Sequence, residues 1–402
     1  MRVTHIITRL IVGGAQENTI TSALGLYHRP EWRVDLISGP SVGTEGSLEA
    51  SLQSKPGLLT ILPELVRPVS PVTDFLALRR LTALLREWRP EVVHTHSGKA
   101  GVLGRLAAHR AGVPVIIHTI HGPSFGPFQG PFANFAFRSA EKLAARITTH
   151  FVVVADAMTR QYLAAGIGTP DKFTRIFSGF DLDPYLQALP DPVLAAKLGL
   201  QAGDFVIGKI ARLFALKGHE ELIAIAPQLI QEIPRARFLL IGDGPWRKRF
   251  EVQIHAMGLG KSFIFVGLIP PSEVARYVAL LDVLVHLSRR EGLPRAIPQA
   301  MAGGKPVIAY DCDGAGEVCI DGETGFLLRP GDRSGLTDRL VALSRDSLLR
   351  ERLGGFGREF VRSRFSADRM IQDLQALYRR LWDQRTNRPM AAKGLPSSDS
   401  NP

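Results

Sequence analysis

Short apolar runs rich in Val, Ile and Phe alternate along this chain with longer stretches whose apolar residues recur every three or four positions. The short runs read as strands and the longer ones as amphipathic helices, which is the pattern of βαβ units in a parallel sheet. The first half offers strands at Val3–Thr8, Arg33–Ile37, Val92–Thr95, Val115–Thr119, Phe151–Val154 and Thr174–Phe177. Between them, Thr73–Trp88 carries Phe75, Leu78, Leu81, Leu84 and Leu85 at helical spacing. The second half restarts the pattern, with strands at Phe205–Ala211, Arg237–Ile241, Phe263–Val266, Val283–His286, Pro306–Ala309 and Gly325–Leu328. Helices are expected over Asp332–Asp346, Leu348–Ser363 and Ala367–Arg385.

The halves separate at Ser178–Pro184, where Gly179, Asp181, Asp183 and Pro184 supply turn chemistry. We therefore expect an α/β protein of two doubly wound domains, 1–182 and 183–385, with a disordered polar tail over 386–402. Two such sheets facing each other leave a cleft at their strand C-termini, where ligands bind in this architecture.

Composition changes this picture little. At 402 residues, 45% hydrophobic and 22% charged, the chain can fill two cores. No apolar run approaches the roughly 18 residues of a membrane span. The first residues read as a strand rather than a signal peptide. Two cysteines, Cys312 and Cys319, suit free thiols of a cytoplasmic protein. The net charge of +11 leans toward the first half and suits either a solvated basic face or an anionic partner such as a membrane surface. Nucleic acid is not an expected partner.

Candidate chemistry clusters at predicted strand ends. Arg212 and Lys217 lie in the loop between a strand and a helix near Gly218, where two cations can clamp a diphosphate. Gly242 and Gly244 follow another strand, as a tight turn or as a close approach to a ligand. The turn Val266–Pro270 offers only backbone groups. In Glu291-Gly292-Leu293-Pro294, the proline suits a first helical position and sets Glu291 ahead of a helix N-terminus. Gln299 falls inside that helix. Gly314 and Glu317 sit in the loop after the next strand. Gly13 and Gly14 open a helix after the first strand, as a plain turn or as a phosphate-compatible loop. His94 and His96 can share a strand face, and His118 and His121 end the neighbouring strand. No carboxylate or cysteine lies near them in sequence, so no metal is expected. Phe128, Phe132 and Phe135 form one helical stripe, expected to pack into the core; the alternative is a membrane-facing stripe beside Arg138, Lys142 and Arg146.

Glu291 and Gln299, spaced by seven residues, resemble the Glu-x7-Glu donor signature of family 4 glycosyltransferases (retaining, group 1, GT-B fold), with an amide in place of the second acid. With the Arg212/Lys217 loop and Asp311–Glu317, the resemblance covers about residues 1–380. It implies a sugar transfer from a nucleotide sugar, UDP-linked by expectation, to an acceptor hydroxyl in polysaccharide or glycolipid synthesis. It requires no cofactor. It implies that Arg212 and Lys217 bind the donor diphosphate, that Glu291 with Gly292 and Leu293 contacts the transferred sugar, and that His121 lies near it. Gly13, Gly14, Gly242, Gly244, Gly314 and Glu317 would line the donor site, with Gln299 at the ribose. The acceptor would be a glycan or a lipid-linked sugar, met at the inner membrane face. A nucleotide-sugar epimerase and a non-catalytic binding relative of the same fold are the alternatives.

Overall fold

The apolar runs become two parallel sheets, with strands covered by helices on both faces, and this is why they read as continuous hydrophobic segments. We describe a computed structural model over residues 1–41, 46–126 and 128–386. The tail expected from residue 387 onward lies outside the described residues.

The first sheet contains β1 (Arg2–Arg9), β2 (Arg33–Gly39), β3 (Leu59–Ile61), β4 (Val92–His96), β5 (Val115–Ile120), β6 (His150–Val153) and β7 (Phe173–Arg175). Its strand order is β3-β2-β1-β4-β5-β6-β7, and every pairing is parallel. The second contains β8 (Phe205–Ile210), β9 (Ala236–Ile241), β10 (Phe263–Gly267), β11 (Val283–His286), β12 (Val307–Tyr310) and β13 (Gly325–Leu328), in the order β10-β9-β8-β11-β12-β13. β3 is too short for periodicity to reveal, and the strand expected at Thr174–Phe177 starts one residue earlier and ends two earlier, at Phe173–Arg175. In each sheet the winding reverses once, between β1 and β4 and between β8 and β11. Ligands of doubly wound sheets bind outside the strand ends at such a reversal.

Two short crossings join the halves. The first, around Phe180, runs beside the second, around Ser366, and they hydrogen-bond to each other (Phe180 N to Phe365 O, 3.0 Å; Ala367 N to Phe180 O, 3.1 Å). Beyond the second crossing, the helix Ala367–Thr386 lies on the first sheet rather than the second. Its buried stripe of Met370, Ile371, Leu374, Leu377, Tyr378 and Leu381 packs with Val3, Ile7, Leu26 and Trp32. That spacing is the one-faced pattern of an amphipathic helix, and it caps the first core.

Candidate active site

The loops after β1, β4, β8 and β11 enclose a cavity of about 980 Å³ between the two sheets. Gly13, Gly14, Arg212, Lys217, Gly242, Glu291 and Gln299 line it. His121, Gly244, Gly292, Leu293, Gly314 and Glu317 do not; each lies beside it in a supporting contact or chain segment.

The centre of the wall is an ion pair. Lys217 Nζ donates to Glu291 Oε1, joining the loop after β8 to the loop after β11. His286, the last residue of β11, places Nε2 3.6 Å from the same oxygen. Burial pushes the Glu291 carboxyl upward, but Lys217 and then His286 outweigh it and hold the group well below the usual carboxylate range. Glu291 is therefore a carboxylate at neutral pH. Burial depresses His286 and keeps its ring mostly neutral. The Lys217 loop turns sharply, with positive φ at Leu216 (67°) and Gly218 (69°). A Cβ on Gly218 would lie 2.0 Å from Leu287 O, so only glycine fits there. Arg212 lies at the start of this loop, its guanidinium 5.9 Å from the Phe214 ring.

Glu291 does not stand at a helix N-terminus. The helix that follows begins at Ala296, with Arg295 at its cap and Pro294 in the preceding turn. What fixes the Glu291 backbone is Asp313, whose Oδ2 accepts its N–H at 2.7 Å, while Oδ1 accepts from Gln161 Nε2 at 2.6 Å. Gly292 and Gly314 are needed by close approach. A Cβ on Gly292 would lie 1.8 Å from His121 O, and one on Gly314 2.4 Å from Gly292 O. The Glu291 loop is thus wedged between the exit of β5 and the loop after β12. Gly242 and Gly244 serve similarly: added Cβ atoms would meet Ala211 O at 2.3 Å and Leu213 O at 2.4 Å, so both let the exit of β9 press on the Arg212 loop.

Gln299 is 7% exposed, and its Nε2 donates to Tyr185 OH at 2.8 Å. Gly13 and Gly14 stand at the start of the helix Gly14–Tyr27, across the cleft from Arg295. Arg295 pairs with Glu17 of that helix at 3.3 Å. Sequence reasoning missed this pair, since nothing local joins positions so far apart. Glu317 reaches the other half: its oxygens accept the N–H groups of Asp156 and Ala157, both at 2.8 Å, closing the start of the helix Asp156–Ala164.

The histidines of the first sheet form a stack. His94 and His96 do share a face, with ring centroids 4.4 Å apart. His5 Nδ1 lies 3.0 Å from His96 Nε2, and His96 Nδ1 lies 3.1 Å from His121 Nε2. Burial lowers His5 to about 3 and His121 to about 4, so both rings are neutral at neutral pH. His5, His94 and His96 bring three nitrogen donors within 4.8 Å. Both His94 nitrogens are engaged by Tyr378 and Thr119, and both His96 nitrogens by His5 and His121, so a metal would have to displace these bonds.

The phenylalanine stripe is not core. Phe132 is 92% exposed and Phe135 73%, on the helix Pro131–Arg146. That helix buries Glu141, Ala144 and Ala145 instead, with Glu141 paired to the buried Arg105 at 2.7 Å. Phe128 precedes the helix and lies under the Arg290 guanidinium. Val69, Val72 and Phe75, near the start of the helix Pro71–Trp88, are also exposed, and the cavity reaches Val69, Ala136 and Phe137 at this end.

Residues 14–176 match the family described as glycosyl transferase 4-like domain, and residues 191–360 match glycosyl transferases group 1. The chain belongs to the group 1, family 4 glycosyltransferases: it is an enzyme of GT-B fold that transfers a sugar from a nucleotide sugar. It is 27% identical over 353 residues to the UDP-Gal:alpha-D-GlcNAc-diphosphoundecaprenol alpha-1,3-galactosyltransferase of Escherichia coli, covering 87% of this chain and 89% of that one. It is 25% identical to the capsular polysaccharide biosynthesis glycosyltransferase CapM of Staphylococcus aureus, over 78% of this chain and 82% of that one. In fold it is similar to Anabaena Alr3699/HepE solved with UDP and glucose (TM-score 0.80, 22% identity, 94% of this chain and 100% of that one). It is likewise similar to the sucrose-phosphate synthase of Thermosynechococcus elongatus (TM-score 0.82, 22% identity, 96% and 100%).

Proposed function

We propose that this cleft moves a sugar, with retention of its anomeric configuration, from a UDP-linked donor to a hydroxyl of a lipid-linked glycan. The observation that carries the reading is the Lys217–Glu291 pair, set with Arg212 at the reversal of the second sheet and open to the cavity. In this reading Arg212 and Lys217 hold the donor diphosphate and stabilise its charge as it leaves. Glu291 takes hydroxyls of the sugar, and His121 stands on the opposite side as a neutral hydrogen-bonding group. Gln299 meets the ribose. The departing phosphate oxygen accepts the proton of the acceptor hydroxyl, so no side chain has to be the nucleophile. The two cations neutralise the diphosphate, so the step proceeds without a metal.

The UDP donor and diphosphate-lipid acceptor named for the E. coli relative agree with the two ends of the cavity. One end carries Arg212 and Lys217; the other mixes Val69, Ala136 and Phe137 with Arg67, Asp74 and Lys99, on the chain segments that also carry the exposed Phe132, Phe135 and Val72. Arg138, Lys142 and Arg146 lie on the same helix as the exposed phenylalanines, a composition suited to an anionic membrane face. Residues 1–182, with the helix Ala367–Thr386 packed on them, would then hold the acceptor, and 183–366 the donor. The test is a panel of UDP-, GDP- and ADP-sugars offered with an undecaprenyl-diphosphate-linked sugar, with nucleotide release and lipid product measured. Release of UDP with a new α-linked lipid product supports the reading. Turnover restricted to GDP- or ADP-sugars, or confined to water-soluble acceptors, overturns it.

A further inference from the structure

Lys209 is the unusual residue behind the ion pair. It lies on β8, the strand at the reversal point, yet it is 1% exposed and its Nζ has no hydrogen-bond partner among the described residues. A buried amine without a partner is costly to keep charged, so it favours the neutral form. Burial first, and the neighbouring Lys217 charge second, bring it down to about 7, against the opposing pull of Glu291 and Glu220. Its surroundings come from every adjoining element. Lys217 is in the following loop, His219 and Glu220 are at the start of the helix His219–Glu232, His286 is on β11, and Glu291 is in the loop beyond. His219 is held neutral, and His286 is depressed, in both cases chiefly by burial. The balance of charge around Lys209 is therefore set by one cation and two carboxylates, and the cation is the one that a diphosphate would engage.

We propose that Lys209 backs the diphosphate site as a proton-linked cation, mostly uncharged in the empty cleft at pH 8 and protonated when the diphosphate of the donor engages Lys217. The inference rests on the diphosphate reading of Arg212 and Lys217. An arriving diphosphate brings about two negative charges. It competes with Glu291 for Lys217 and leaves that carboxylate short of a cation. The added negative potential falls on two neutral neighbours, Lys209 and His286; Lys209, at about 7, takes a proton from solvent at pH 8 more readily than His286, which burial holds below its ordinary 6.5. Lys209 thus acts from behind, positioning and balancing the Lys217–Glu291 pair without touching the nucleotide. Donor binding and proton binding become reciprocally linked.

The experiment is UDP binding by calorimetry at pH 8 in two buffers of different ionisation heat. At that pH the terminal phosphate of UDP, with a pKa of about 6, is already ionised. Wild-type protein is expected to take up close to one proton per UDP, and its Kd to rise about tenfold from pH 8 to pH 9. Uridine, which lacks the diphosphate, should bind without uptake. Lys209→Met, similar in length and uncharged, should bind UDP about tenfold more weakly at pH 7, with no uptake and a Kd flat between pH 7 and 9. A merely space-filling Lys209 would leave uptake and pH profile unchanged by this substitution, and that result overturns the proposal. UDP binding to wild type with no net uptake overturns it without any variant, so misfolding of Lys209→Met would not shield it. Failure of UDP to bind wild type at all would instead defeat the diphosphate reading, and this inference with it.

Discussion

Gly292→Ala tests whether the contact between the halves sets the geometry of transfer. The added Cβ would lie 1.8 Å from His121 O and 2.5 Å from His121 C, both backbone atoms of the opposite half. Ordinary contacts of this kind lie beyond about 3 Å, so the loop or the opposing strand end has to shift by more than 1 Å. Neither core is touched, and the Lys217 wall of the cavity belongs to the same half as Gly292. Binding of UDP should therefore stay within a fewfold of wild type. Misplacement of reacting groups by about 1 Å costs on the order of 10²-fold in rate, so kcat should fall by about that factor. The assay is nucleotide release under saturating donor, beside the Kd for UDP and a thermal melt. A Gly292→Ala enzyme with wild-type kcat would refute the reasoning. So would a collapse of UDP binding that matches the loss of rate, because the defect would then lie in the donor site alone.

Lys217→Ala should remove turnover while the protein still melts cooperatively, and wild-type turnover would sink the diphosphate clamp. Gln299→Glu puts a carboxylate beside Tyr185 and should tighten UDP binding about fivefold, a difference of order 1 kcal/mol; an unchanged Kd would show that Gln299 does not meet the ribose. His5 and His121 titrate in the fold at about 3 and 4, below their unfolded value near 6.5, so the unfolded chain binds the extra protons. Their neutral burial therefore supports the fold fully above pH 6.5, and the support drains away as pH falls toward 4. The melting temperature should drop steeply across that window, and His5→Phe should flatten the drop; equal slopes in both proteins would count against the histidine stack as its cause. Phe132→Ser with Phe135→Ser should lower binding to anionic lipid vesicles severalfold and leave turnover on a short-chain soluble acceptor intact, whereas unchanged sedimentation with vesicles would remove the membrane face.

Most of the fold was legible because each buried parallel strand writes itself as an apolar run. Leu59–Ile61 escaped, since three residues cannot show a period. That Arg212, Lys217, Glu291 and Gln299 share one cavity was legible for a similar reason: each stands at a fixed offset from a strand end or helix. The contacts made by packing one half on the other were not. Glu17 with Arg295, Glu317 with the start of the helix Asp156–Ala164, and Gly292 under His121 O join positions with no local signal. The phenylalanine stripe failed differently. Spacing told which residues share a side of the helix Pro131–Arg146, but not that the buried Arg105 would claim the other side through Glu141. Lys209 carries no signal of its own in the sequence. Its interest comes from the second layer of side chains around it, which only folding assembles.

The paired crossings at Phe180 and Ser366 bear on how this enzyme can move. A single flexible linker would let one half swing and twist freely against the other. Here two stretches of backbone cross side by side, stapled by hydrogen bonds in both directions, and the far one continues into a helix bedded in the first core. Such a joint behaves like a piano hinge rather than a tether: it folds about one line and resists rotation about any other. A closing motion about this joint would bring the two walls of the cleft together in one register.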